Sequence, residues 1–596
     1  MLSRKIRVLA FVTIIVLFPL KLNEINATDE NPGPFFSVSV IAPATCPGFQ
    51  YQWVNHLVEM LPEIGITIDE LLLTGWGNIY PRTWSYPGPY PIPNHTLGGY
   101  DIFTVGWSWR FEYDPIEIYH SNYIVPNGDN AYQYSNPEMD WILENYTTAL
   151  DKDTQLFWAK EMQRVFFEDQ PSITILYPSS VIPHDSELTG WDPQLWLTES
   201  QFMENWTIPS QTAFNYAVPV EFDEFHLYKS DLYYNYQWLK QIYGGLIERS
   251  ASEAYTFSPK IATSWDTTDG LNYTVQLNPE VVWADGTPFN ASDVEFSYKL
   301  LITPEFNAND YHYWEDYLRN NSITILDEHT LHISFNKSTI FRERNLAVDI
   351  IPKHIWMDIP YVDMNQQAVD WAKTNTSKFI GTGPYKLHQY DDINQIIHLK
   401  QNEYYDNWTN ITPYFEDIYF KFYSNYESAL VALEDGSLDM IDSSYYIPSD
   451  QIPDSFSQTV VPEPGVHEFA LNNMHPYFGS GEFCPIAGHI SAKYIRKAIS
   501  HIIPRDQIIE DVLGGKGIPG ITPFPITSIG FDDTLEPYEY NKTKALEYMQ
   551  LAGFDVNPTF ISPTISLGIN FEILLGILVL IGGCLVIRNK NNFKKS

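Results

Sequence analysis

The run Gly106-Trp107-Ser108-Trp109-Arg110-Phe111-Glu112-Tyr113-Asp114-Pro115 sets two indoles, a guanidinium and a carboxylate within a few residues of one another. Such side chains recognise solutes: indoles offer flat apolar surface for contact or stacking, and a nearby charge fixes a polar end. Trp107 and Trp109 are candidate walls of a binding site. Arg110 is a candidate selector for an acidic group, and Glu112 for an ammonium. In the conservative version one tryptophan is wall and the other core. Nothing comparable points to catalysis. The sequence has no HExxH, no GxSxG and no clustered His/Cys set, so no enzyme activity, metal site or cofactor is expected. His354, following Pro352-Lys353, reads as a packed histidine. Gly381-Thr382-Gly383 lacks the Lys-Ser/Thr and the helix start that a phosphate-cradling loop needs. Its glycines read instead as residues allowing φ values that a Cβ would forbid, with Pro384 fixing the exit into a strand.

The candidate loop follows an apolar strand through Asp101 to Trp107. Before it, Phe36 to Ile41 reads as a strand, Val54, Leu57, Leu61 and Ile64 as one helical face, and Ile66 to Leu73 as a second strand. Strand, helix, strand is the order of a parallel α/β layer. Tyr80 to His95 is too rich in proline for regular structure. A helix beginning near Asp153 should place Phe157, Met162 and Phe166 near one face, with a strand from Ser172 to Tyr177 after it. Further on, Trp283 to Leu300 reads as a turn at Asp285-Gly286, extended chain at Pro288, and a helix capped by Ser292 or Asp293 with Val294, Phe296 and Tyr298 facing inward. Ile323 to Phe335 reads as an exposed strand pair turning at Asp327 and Glu328.

The balance of 74 acidic against 35 basic residues, a formal charge of -39, excludes a nucleic-acid surface. A body of roughly 540 residues is too long for one growing core and should divide into lobes. Residues 1–27, with Arg4, Lys5 and Arg7 ahead of the apolar run Val8 to Leu20, have the layout of a signal peptide. Phe571 to Ile587 is apolar apart from Glu572 and precedes Arg588, Lys590, Lys594 and Lys595. The expectation is a C-terminal transmembrane helix with the body outside the cell membrane and the lipid bilayer as a partner. Cys46 and Cys484 are the two cysteines of the body and could form one disulfide. Asn-x-Ser/Thr triplets from Asn94 to Asn541 are compatible with a glycosylated surface.

Several strings closely resemble one family. These are Trp283 to Leu300, Phe379-Ile380-Gly381-Thr382-Gly383-Pro384-Tyr385-Lys386, Asn402-Glu403-Tyr404-Tyr405, Gly244 to Glu248, Tyr494 to Ile509 and Lys544 to Gly553. They resemble the extracellular solute-binding proteins of ABC importers, family 5, whose members take peptides, nickel or oligosaccharides. The resemblance implies an α/β, two-lobed periplasmic-binding-protein-like fold of class II, to which the C-terminal transmembrane helix is added. The segment 35–180 is similar to the late part of such a protein yet stands first, so the order reads as circularly permuted. The implied domains are 1–27 signal peptide, 35–180 first segment of lobe II, 181–207 return segment, 208–462 lobe I, 463–555 second segment of lobe II, 556–570 juxtamembrane stretch, 571–587 transmembrane helix and 588–596 cytoplasmic tail. The implied function is that of a membrane-anchored solute-binding component, capturing an oligopeptide or oligosaccharide for an ABC permease and ATPase. A surface receptor or surface-layer protein without transport is the alternative. In peptide-binding relatives an Asp shortly after the Gly-Trp pair receives the peptide's amino terminus. Phe111 occupies that position here, which makes an oligosaccharide or an acidic solute more credible.

Overall fold

The computed structural model describes residues 31–556, apart from 45–49, 150, 210, 231, 251–255, 338–341 and 446. The expected signal peptide, the transmembrane segment, the cytoplasmic tail and Cys46 lie outside these residues. Cys484 carries a buried free thiol that donates to the Tyr477 carbonyl at 3.3 Å.

A 12-stranded sheet runs through the body. Ten strands run in the order Tyr385–Asp391, Ile396–Gln401, Asp417–Phe422, Ala213–Val218, Met440–Ile441, Ser172–His184, Gly465–Leu471, Ile102–Ser108, Phe36–Pro43 and Ile66–Thr74, and the other two, Ser457–Pro462 and Gly517–Pro519, pair with Ser172–His184 off this path. The long strand Ser172–His184 joins the two halves. Its first residues pair antiparallel with Gly465–Leu471 and its last with Ser457–Pro462. Between those strands the chain crosses once more, where the Glu463 amide donates to the Pro178 carbonyl at 2.8 Å. Two adjacent extended crossings between sheet halves define a two-lobed body, the layout of binding proteins that close on a ligand.

Each half has its own core. Ile41, Phe103 and Phe166 share one with Ala470 and Phe524, so residues from both ends of the body pack together. Phe36 stacks on Tyr477 at 4.2 Å, and Trp53 meets Phe469 edge-on at 5.0 Å. The strand Phe36–Pro43 lies parallel between its neighbours, and every residue of it but Ser37 is buried. The other core gathers Trp238, Trp283, Val294 and Phe420.

Local chemistry departs from the sequence expectation in three places. The helix Ala291–Leu301 is capped by Asn290, and Asp293 returns the bond to the Asn290 amide at 3.0 Å. Val294 and Tyr298 are buried while Phe296 is only half-buried, because Ser297 falls on the inward stripe in its place. In the helix Lys152–Asp169 the buried stripe is Ala159, Met162, Val165 and Phe166, and Phe157 is 55% exposed. Gly381 and Gly383 do not have positive φ; they are glycines because backbone approaches them. A Cβ at Gly381 would stand 1.8 Å from the Ile242 carbonyl oxygen.

The C-terminal transmembrane helix is corrected here. Among the described residues no helix is long and apolar enough to cross a membrane, and the span expected at Phe571 to Ile587 lies outside them. The expectation rested on the apolar run and the basic residues after it. The anchored placement, the lipid bilayer as partner and the single-span localisation are set aside with it.

Candidate functional site

The strand Ile102–Ser108 ends beside the crossing, where the Trp109 amide donates to the Pro464 carbonyl at 2.6 Å. That bond hangs the loop at the junction of the lobes, and the four candidate side chains diverge from it. Trp107 is half-buried and turns into its own lobe, donating from Nε1 to the Tyr132 hydroxyl at 2.8 Å and to Glu468 at 3.1 Å. Glu468 is fully buried and also accepts from Ser172 at 2.6 Å and from the Tyr119 hydroxyl. Burial pushes its carboxyl above the usual range in spite of these donors. Trp109 is half-buried and meets Tyr113 edge-on at 4.8 Å.

Glu112 is buried and forms an ion pair with Arg249, which lies in the opposite lobe. Arg249 stands in a short strand, Ile247–Arg249, paired with Phe257–Pro259, and its guanidinium lies 4.3 Å from the Phe257 ring centroid. It also pairs with Glu199 at 3.3 Å, the last residue of the helix Pro193–Glu199. Glu112 is thus consumed by a bridge between lobes and is not offered to an ammonium. Phe111, at the position where the resemblance implies an acid, is buried against Leu195 and Ile529.

Arg110 alone of the four points into open space. It lines a cavity of about 480 Å³ together with Glu199, Tyr236, Arg249, Tyr313 and Arg344. The remaining wall mixes aromatic and aliphatic side chains with Lys240, Asp310 and Asp349. Lys240 pairs with Asp349 at 2.5 Å, whose other oxygen accepts from the Tyr236 hydroxyl at 3.2 Å. Burial opposes the Lys240 charge, but Asp349 overrides it and holds its pKa above the ordinary value. Tyr313 donates to Asn345 at 2.7 Å, beside Arg344 in the turn Arg342–Leu346. Apolar walls with a few placed polar groups are the usual construction of a solute site.

Sequence reasoning missed Arg249, Glu199, Lys240, Arg344 and the tyrosines, which come from segments far apart in the chain. The one available signal was the scarcity of arginine in so acidic a sequence. No metal site occurs among the described residues, and His354 contacts Asp285 at 3.1 Å beside the Trp283 ring.

A two-lobed α/β body with a solute-sized cavity beside its crossing strands is the architecture of a binding protein. A family model described as "Bacterial extracellular solute-binding proteins, family 5 Middle" matches residues 256–570, more than half of the chain, and the chain belongs to that family. Its members bind solutes and do not catalyse. Curated relatives include the oligopeptide-binding protein OppA of Bacillus subtilis, 23% identical over 52% of this chain and 56% of its own length. The heme-binding protein A of Haemophilus influenzae is 24% identical over 53% of this chain and 57% of its own length. The chain therefore spans about half the length of the curated relatives it matches. Among solved structures, the oligopeptide-binding protein AppA of Bacillus subtilis in complex with a nonapeptide is 19% identical, covers 58% of this chain and 66% of its own, and has a TM-score of 0.40.

Proposed function

We propose that this protein captures an oligopeptide-sized solute between its lobes and presents it to the permease and ATPase of an ABC importer. The observation that carries the reading is the cavity beside the crossing strands, walled by Arg110 from one lobe and by Tyr236, Arg249, Tyr313 and Arg344 from the other. Family membership supports the class, and the similarity to an oligopeptide-binding protein supports the solute. In this reading 35–180 and 463–555 make one lobe, 208–462 makes the other, and 181–207 is the return between them. Arg110 meets the solute, and Trp109 packs beside it on Tyr113. Trp107 and Glu112 hold the loop, the first through Glu468 and the second through Arg249.

Calorimetric titration of the body with equimolar pools of tri-, penta- and nonapeptides, and separately with neutral oligosaccharides, tests the reading. Saturable binding of a peptide pool, with the negative heat-capacity change of apolar burial, is the expected result. Binding of oligosaccharides with no response to any peptide pool overturns it.

A further inference from the structure

The cavity gathers cations in an acidic chain. In a protein with 74 acidic and 35 basic residues, Arg110, Lys240, Arg249 and Arg344 line one space. Two of these cations are accounted for: Lys240 by Asp349, and Arg249 by Glu112 and Glu199. Arg110 and Arg344 come from opposite lobes, and among the described residues neither guanidinium has a hydrogen-bond or ion-pair partner. The acids facing them are Glu199, already bonded to Arg249, Asp310 at the exposed start of the helix Tyr311–Tyr317, and, toward Arg344, the exposed Asp114; burial opposes the Arg110 charge, but Glu199 with Tyr236 and Asp310 holds it above its ordinary value. The cations also act on one another. Burial, then Arg344 and Arg110, pull the Arg249 guanidinium down to about 9, and burial, then Arg110, lowers Arg344. Arg249 Nη1 is buried with no acceptor among the described residues. Like charges gathered in one cavity repel, a repulsion that an entering counter-charge relieves, and a guanidinium fork is matched to planar carboxylate oxygens.

We infer that Arg110 and Arg344 together hold an anionic group of the solute, a carboxylate, so that the solute's negative end bridges the two lobes. This rests on the reading that solute enters this cavity, and it reverses the polarity expected of a site that receives an ammonium through an acid at the position of Phe111.

The test uses three pentapeptide pools: amidated peptides without Asp or Glu, the same peptides as free acids, and amidated peptides with one internal Glu. Glutarate and inorganic phosphate alone are added as small-anion probes. Titrations are run on the wild type and on Arg110→Gln, Arg344→Gln and, as a control for general charge loss, Lys386→Gln. The expected result is that one or both carboxylate-bearing pools bind at least about tenfold tighter than the uncharged pool, a preference abolished in both arginine variants and kept in Lys386→Gln. The two carboxylate pools separate a terminal from a side-chain source. Equal binding of all three pools by the wild type, or a preference that survives both arginine substitutions, overturns the anion site while leaving peptide capture intact. Should no peptide bind while glutarate or phosphate raises the wild-type melting temperature and not that of the arginine variants, the anion site stands and peptide capture falls. No response to any anion overturns the site.

Discussion

Replacing Arg249 by Met removes the cation from the bridge between lobes while keeping most of its length and apolar contact. The side chains of Arg249 and Glu112 are only 2% and 3% exposed, and Glu199 is 12% exposed. The substitution therefore strands one fully buried carboxylate and a second largely buried one. Removing one member of a buried pair costs about 3–5 kcal/mol, and the lost contact with the Phe257 face adds about 1 kcal/mol. Glu112→Gln is the milder change: Arg249 keeps Glu199, and the amide oxygen still accepts, so about 1–3 kcal/mol is expected. The double variant should be less destabilised than the sum of the two, because Gln at 112 leaves no stranded charge there. Urea denaturation followed by tryptophan fluorescence measures these values without ionic screening. An Arg249→Met protein within about 0.5 kcal/mol of wild type, the range of an ordinary surface substitution, would refute the bridge.

Two further substitutions probe the frame. Gly381→Ala drives a Cβ onto the Ile242 carbonyl, in backbone that also accepts from the Gly383 amide at 2.8 Å, so a loss of about 3 kcal/mol or more is expected in the same assay; a neutral outcome would show that the segment yields freely. Asp169 accepts from Lys493 at 2.9 Å and from Tyr134 at 2.8 Å, and although burial works the other way, these partners hold its carboxyl below the ordinary 3.8. A lowered folded value gives stability that is present above 3.8 and lost as pH falls through the folded value. Asp169→Asn should thus cost about 1–3 kcal/mol at pH 7, with the difference from wild type vanishing in strong acid; a difference independent of pH would contradict the ion pair.

What the sequence disclosed and what it hid divide by chain separation. The turn at Asp285-Gly286 and the helix after it are decided by residues a few positions apart, and both were legible, although the cap proved to be Asn290. The strands flanking the candidate loop were legible for the same reason. At Gly381 the sequence marked the right residue for the wrong cause, because backbone approach from Ile242 leaves no local trace. The site was half legible. Arg110 stood out beside its tryptophans, but Glu112 gave no sign that its partner lies 137 residues away. Nor did anything near Trp107 announce Glu468, which is 361 residues distant. Contacts of that range appear only once the sheet brings the two ends of the body together. The anchored placement failed for a different reason: hydropathy measures a segment and not its surroundings.

The central claim, that solute is held between the lobes at the arginine-lined cavity, is tested most directly by hydrogen exchange on the body with and without a saturating bound peptide. The account predicts slowed exchange in 107–114 of one lobe and in 228–249 and 342–349 of the other, together and only when solute is present. Protection confined to one lobe, or to a surface away from these segments, would contradict it.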